Sequence, residues 1–269
     1  YNADANYGGL PRDGAMNDRL IETKRRYGYP KQLRAAWTKN ANLKVFDMAS
    51  KLHSAGMSKG VTLALQSLDP HTLEIIKRKN ISMEDFEKWV KKYDDAGIGT
   101  YTEIILGLPG ETYDSFADGI DRILRAGQHH GLYVYLCMAI PNSEMSDPAY
   151  VAEYGIKTIR GPLLQQHAPP DPPATEMADV VIETKTMPLE DWKRAFLFAW
   201  AVQTFHCLGI TTRLAIESHS AGHSYRKFYE HLLHYTLNWR LNTVAYEAQL
   251  TQILLERAIR GGPWGEVIP

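Results

Sequence analysis

The chain of 269 residues has little cysteine. Cys137 and Cys207 are its two thiols, seventy residues apart, too few for a disulfide framework and without the spacing of a metal site. It has no surplus of either charge, with 30 Lys and Arg against 31 Asp and Glu. That balance leaves no electrostatic footprint for nucleic acid or an anionic membrane surface. No apolar run approaches the roughly 18 residues that a membrane span needs. The opening YNADANYGGLPRD lacks the apolar core of a signal peptide. A phosphate-binding G-x-x-x-x-G-K-[ST] is missing, and so are a G-x-G-x-x-G opening a helix and a G-x-S-x-G nucleophile turn. What remains is a composition of ordinary globular type, 44% hydrophobic and 23% charged, for which a cytoplasmic location is expected. The chain opens on Tyr1, and its first residues read as the end of a strand, so a piece of a longer polypeptide is expected.

What is there alternates strand and helix from Asp4 to Ile140. Residues 14–27 are amphipathic, and QLRAAWT (32–38) reads as a strand. Residues 42–55 carry Val45, Met48, Ala49 and Leu52 at helical spacing, and Gly56 stops that helix. VTLALQSL (61–68) reads as a strand, and Asp69-Pro70 opens a helix with proline at its first position. Ser82, with Asp85 three residues on, caps a helix that Gly97 closes at its far end. Strand 100–106, helix 114–126 and strand 133–140 follow. The strands are near-continuous apolar runs, which predicts cover on both faces, as in a parallel sheet wrapped by helices. Past Pro141 the pattern changes. GPLLQQHAPPDPPAT (161–175) reads as an extended connector, VVIETKTM (180–187) as a strand, and 189–208 as a helix with Trp192, Phe196, Trp200 and Phe205 along it. Residues 224–258 read as one or two more helices.

In parallel strand–helix folds the site lies at the carboxyl ends of the strands. Polar residues gather there: Asp4, Asn6 and Tyr7; Lys39 and Asn40; Gln66 and Ser67; the loop Gly107-Leu108-Pro109-Gly110-Glu111; and Asn142, Ser143 and Glu144. Gly107 and Gly110 bring bare backbone up to a flat or bulky ligand. Glu111 sits where the positive end of helix 114–126 favours a carboxylate, so a helix-start role competes with ligand contact.

Four stretches in register carry a family likeness: Asp4-Ala5-Asn6-Tyr7; Leu65-Gln66-Ser67-Leu68 with Lys77-Arg78-Lys79; Gly97-Ile98 before EIILGLPGET; and Ala139-Ile140-Pro141-Asn142-Ser143-Glu144-Met145. Together they resemble the radical S-adenosylmethionine (radical SAM) superfamily, and most of all its members that carry an upstream cobalamin-binding domain. The resemblance implies an α/β fold: a partial (β/α) barrel of parallel strands over residues 1–146, holding the second to sixth strand–helix units and lacking the first. A proline-rich connector and a mostly helical C-terminal extension would occupy 147–269. It also implies S-adenosylmethionine and a [4Fe-4S] cluster as cofactors, with cobalamin in the linked branch. The cluster and S-adenosylmethionine would generate a 5′-deoxyadenosyl radical, and methyl transfer to an unactivated carbon or phosphorus of a small-molecule or lipid-like substrate is the common outcome there. By motif position, Asp4 and Asn6 lie near the methionine amino group, Gln66 and Ser67 near ribose or carboxylate, and Ile105, Gly107, Met138 and Asn142 near adenine. The family's C-x-x-x-C-x-x-C is not among these residues, so the cluster ligands are expected outside this chain and no metal set within it.

Other constellations read as structure. The aromatic residues of 189–208 predict burial, and Lys77-Arg78-Lys79 a solvated helix end. His219 and His223, four apart, are flanked by Ser218, Ser220, Gly222 and Ser224, which reads as a loop. Two alternatives stay open: a binding module that keeps the barrel without the cluster, and another barrel enzyme, such as an aldolase, relying on Lys39.

Overall fold

The structure, a computed structural model, describes residues 2–38, 42–163, 174–238 and 243–264. Lys39, Asn40 and most of the proline-rich stretch lie outside the described residues. Chain order is β1 (Asn2–Tyr7), α1 (Asp13–Tyr27), β2 (Ala35–Trp37), α2 (Leu43–Ser54), β3 (Val61–Thr62), α3 (Pro70–Ile75), α4 (Met83–Asp95), β4 (Thr100–Leu106), α5 (Tyr113–Arg125) and β5 (Leu132–Leu136). There follow a 3₁₀ turn (Glu144–Ser146), α6 (Pro148–Tyr154), β6 (Lys157–Pro162), β7 (Met177–Glu183), α7 (Leu189–Ala201) with a π-helical continuation (Val202–Cys207), α8 (Thr212–Ser220), α9 (Tyr225–Asn238) and α10 (Thr243–Ile259).

Two compact units result. The first takes Tyr1–Gln66, Asn80–Glu103 and Arg125–Tyr133; the second takes Ser67–Lys79, Ile104–Leu124 and Val134–Pro269. In the first, β1 and β2 pair in parallel, Asn2 opposite Ala35 and Tyr7 opposite Trp37. α2 buries Val45, Met48, Ala49 and Leu52, the stripe read from sequence, and Asn42 caps it by accepting from the Val45 N–H at 3.0 Å. Ser82 caps α4 by accepting from the Asp85 N–H at 3.0 Å. Gly56 and Gly97 close these helices at φ 63° and 68°, in the left-handed region where a side chain is costly.

β3, β4 and β5 are neighbours in that order, with β3 and β4 parallel. The expected strand 61–68 shrinks to two residues. Its ladder breaks because Leu65 and Gln66 both donate to the Glu103 carbonyl, each at 3.1 Å, while Gln66 takes φ 63°. The expectation of two covered faces is also corrected. β4 and β5 alternate, and Tyr133 and Tyr135 on β5 are each 51% exposed.

In the second unit Asp69 caps α3, accepting from the Thr72 N–H at 2.7 Å, with Pro70 at the first turn as read. The expected strand 133–140 ends at Leu136 because the chain changes partner. Cys137 donates to Leu106 (2.8 Å), its own carbonyl accepts from Val181 (2.9 Å), and Ala139 donates to Asp179 (2.9 Å). β7 pairs antiparallel with β6, a strand the sequence did not announce; Gly161 and Pro162, assigned to the connector, are its last two residues. α7 buries Trp192, Phe196 and Trp200, and Phe205 is buried on its π-helical end. His219 is in α8, not in a loop, and its Nδ1 lies 2.9 Å from the His223 carbonyl. Arg78 is half-buried, which lowers its pKa, so the basic triplet is not wholly solvated; Lys77 pairs with Glu144. No single helix among the described residues is long and apolar enough to cross a membrane.

Arg226 ties α9 to α5. Its guanidinium meets Asp118 at 2.9 Å, Asp114 and Glu230 (2.9 Å), and lies 5.3 Å from the Tyr113 ring centre. Its backbone N–H donates to Asp121 at 3.0 Å. Its Nε, Nη1 and Nη2 each meet a different carboxylate, a planar spread that a lysine's single nitrogen does not reproduce. Arg226→Ala is therefore expected to lower unfolding free energy by about 1–2 kcal/mol, with Arg226→Lys recovering less than half, as read by urea denaturation.

Candidate functional site

Three of the eight residues assigned to strand ends fall in the first unit. Asp4 Oδ1 accepts from the Asn6 backbone N–H at 2.9 Å, Asn6 is exposed, and Gln66 holds a positive φ. The remaining five fall in the second unit. Ile105 is half-buried against the cluster Leu108, Cys137, Ile156 and Val181. Met138 and Asn142 are exposed after β5, and Asn142 has φ 64°, a conformation non-glycine residues adopt rarely and which recurs at functional sites.

The two glycines of the loop after β4 are not bare toward a ligand. Gly107 has φ 96°, and a β-carbon there would meet Trp192 Nε1 and the Val181 carbonyl, each at 3.1 Å, and Cys137 Cβ at 3.4 Å. At Gly110, φ 90°, it would meet Ile75 Cδ1 at 2.5 Å. The missing side chains make room for α7, β7 and α3 of the protein itself. That corrects the expectation that ligand approach alone explains them.

Glu111 is likewise not a helix-start residue. Thr112 does that work: its hydroxyl accepts from the Ser115 N–H at 3.0 Å, and Ser115 Oγ accepts from the Thr112 N–H at 2.9 Å. Glu111 is 1% exposed. Its Oε1 accepts from Ser67 Oγ at 2.6 Å, its backbone carbonyl accepts from Thr186 Oγ1 at 2.8 Å, and Oε2 has no partner among the described residues. Ser67, 3% exposed, also accepts from the Asp69 N–H at 3.1 Å. Burial drives the Glu111 pKa up to about 8; the Ser67 bond opposes this and the Asp69 charge adds to it. A value of about 8 leaves the carboxyl mostly protonated at pH 7. Burial likewise raises the Cys137 thiol to about 12, so without a metal it stays protonated and a poor nucleophile at neutral pH.

Sequence reasoning missed Glu111, Thr186 and Trp192 as a set. One signal was available: a Thr-x-x-Ser start at 112–115 supplies its own cap and leaves the preceding carboxylate without that task.

The folded-state pKa of Glu111 is raised, so its contribution is complete below the ordinary carboxyl value and disappears as pH rises through about 8. Wild type is expected to lose up to about 4 kcal/mol relative to Glu111→Gln between pH 5 and 8.5, with parallel curves below pH 4. Urea titrations of both proteins across this range check it.

The family model described as the radical SAM superfamily matches residues 8–123. Over 236 residues the chain is 39% identical to "Cobalamin-dependent radical SAM methyltransferase TokK" of Streptomyces tokunonensis, covering 86% of this chain. Identity and coverage are the same for "2-(S-pantetheinyl)-carbapenam-3-carboxylate methyltransferase" of Streptantibioticus cattleyicolor. The chain spans 34% of the length of these curated relatives. Among solved structures it is similar to the radical S-adenosylmethionine methyltransferase TsrM of Kitasatospora setae (14% identity, TM-score 0.48, 74% of this chain and 42% of that one). It is also similar to coproporphyrinogen III oxidase HemN of Escherichia coli (20% identity, TM-score 0.36, 47% and 30%), and both likenesses are too distant to bear on the argument. The matched domain and the 39% identities carry the assignment: residues 8–123 are a radical SAM superfamily domain, and the chain is a homologue of a cobalamin-dependent radical SAM methyltransferase and of a second methyltransferase.

Proposed function

We propose that this chain forms the S-adenosylmethionine-binding part of a cobalamin-dependent radical SAM methyltransferase. The observation that carries the reading is 39% identity over 86% of the chain to one such methyltransferase, and equally to a second methyltransferase. When bound, S-adenosylmethionine supplies a 5′-deoxyadenosyl radical for hydrogen abstraction, and cobalamin a methyl group. The partial barrel of parallel strands, the division at about residue 146 and a cytoplasmic setting belong to the same proposal.

The residues differ in how well they suit these groups. Met138 and Asn142 offer an apolar thioether and an amide, both exposed past the end of β5, which suits an adenine edge. Ile105 and Gly107 would act through the position of the β4 loop, Ser67, buried and bonded to Glu111, through the position of its own turn, and Asp4, Asn6 and Gln66 through polar contacts to the amino-acid and ribose parts. The iron cluster does not suit this chain. Cys137 is buried and protonated, Cys207 lies in a π-helix, and the described residues hold no cluster of His, Cys, Asp and Glu able to take a metal. The reading therefore requires thiolates from outside these 269 residues. That same poverty of cysteine favours a second reading, a module that binds a nucleotide-like ligand or a partner protein without radical chemistry.

One experiment separates the two. The full-length polypeptide, reconstituted anaerobically with iron and sulfide, is expected to turn brown and release 5′-deoxyadenosine from S-adenosylmethionine. Asn142→Ala is expected to weaken S-adenosylmethionine binding about tenfold, and Asn142→Gly, which keeps the backbone, to do the same if the amide is what matters. Binding without cleavage supports the module, and neither binding nor a cluster contradicts both.

A further inference from the structure

We propose that Glu111 is the positioning residue of the β4 loop: it fixes that loop between the turn after β3 and the β7–α7 segment, and so sets the shape the nucleoside meets. The nucleoside part rests on the function proposed above; the positioning part stands on the geometry alone.

The bonds form a continuous path. Asp69 caps α3 and donates its own N–H to Ser67 Oγ; Ser67 donates to Glu111 Oε1; and the Glu111 carbonyl accepts from Thr186, between β7 and α7. From the far side, Val181 of β7 and Trp192 of α7 stand against Gly107. None of these contacts serves the helix that follows, since Thr112 and Ser115 complete that end. Glu111 thus joins three separate pieces of chain through one buried side chain and one carbonyl. The C-terminal extension acts here as a brace on the loop.

A buried group whose only side-chain partner is a hydroxyl holds this geometry while neutral. Ionised, it would draw water toward Oε2, already buried without a partner. The titratable groups facing it are Asp69 at the start of α3 and Cys137 after β5; the segment between β7 and α7 presents the Thr186 hydroxyl to its backbone carbonyl. Among the described residues no cation pairs with its carboxyl, so nothing offsets ionisation as pH rises.

The test uses the full-length polypeptide with Glu111→Ala, Glu111→Gln and Ser67→Ala, and two readouts. Amide hydrogen exchange without cofactor follows 67–69, 107–112 and 184–187. Equilibrium dialysis gives the S-adenosylmethionine dissociation constant at pH 7 and pH 9. E111A and S67A are expected to lose exchange protection in 107–112 while α7 and α9 keep theirs, and to bind S-adenosylmethionine about tenfold more weakly. E111Q is expected to restore protection and most of the lost affinity, and to remove the weakening that wild type shows from pH 7 to 9. Unchanged protection in both E111A and S67A would overturn the positioning role, and so would an E111Q variant as loose as E111A. If E111A does not fold, the exchange protection of 107–112 in S67A decides, because that variant leaves the Glu111 side chain in place and removes its one side-chain partner. Wild type that binds no S-adenosylmethionine would defeat the proposed function, yet the exchange experiment would still judge the positioning role.

Discussion

A carboxyl group sealed from water with only a serine hydroxyl beside it must stay neutral or force the structure open. That constraint governs the loop from Gly107 to Glu111. At Gly107 and Gly110 the segments α7, β7 and α3 come too close for side chains. With the loop clamped on both sides, its shape depends on the state of one side chain at its end. Of the two outward-looking candidates in this unit, Met138 and Asn142 follow β5, where the chain leaves β4 and takes up β7 as its neighbour.

The C-terminal half takes on a structural role through the same contacts. Trp192 stacks on Phe196, meets Trp264 edge-on, and turns its indole nitrogen toward Gly107. This part of the chain is coupled to the loop through Thr186, Val181 and Trp192. These contacts give Thr186, Val181 and Trp192 a structural task that does not depend on naming a substrate.

Much of the framework was legible where local chemistry decides. Asp69-Pro70, Ser82 with Asp85, Gly56 and Gly97 each carry their reason in adjacent residues, and the helices begin and end there. The apolar spacing of α2 and the aromatic residues of α7 foretold which side chains are buried. Strand extents were not legible, because pairing is a property of two segments. Nothing in VTLALQSL says that Leu65 and Gln66 compete for one carbonyl, and nothing in residues 157–162 says that β7 will lie beside them. The site was half legible. Motif order located the loops, but Ser67 and Glu111, 44 positions apart, reveal their bond only once folded. Reading Glu111 as a carboxylate favoured by the helix dipole failed because the side chain is buried against Ser67 and Thr112 with Ser115 completes the helix start.

The central claim is a protonation state, and difference infrared spectroscopy reads it directly. Wild type minus Glu111→Gln at pH 7 should show the carbonyl stretch of a neutral, weakly hydrogen-bonded carboxylic acid, giving way to carboxylate bands as pH passes about 8. Carboxylate bands alone at pH 7 would contradict the account.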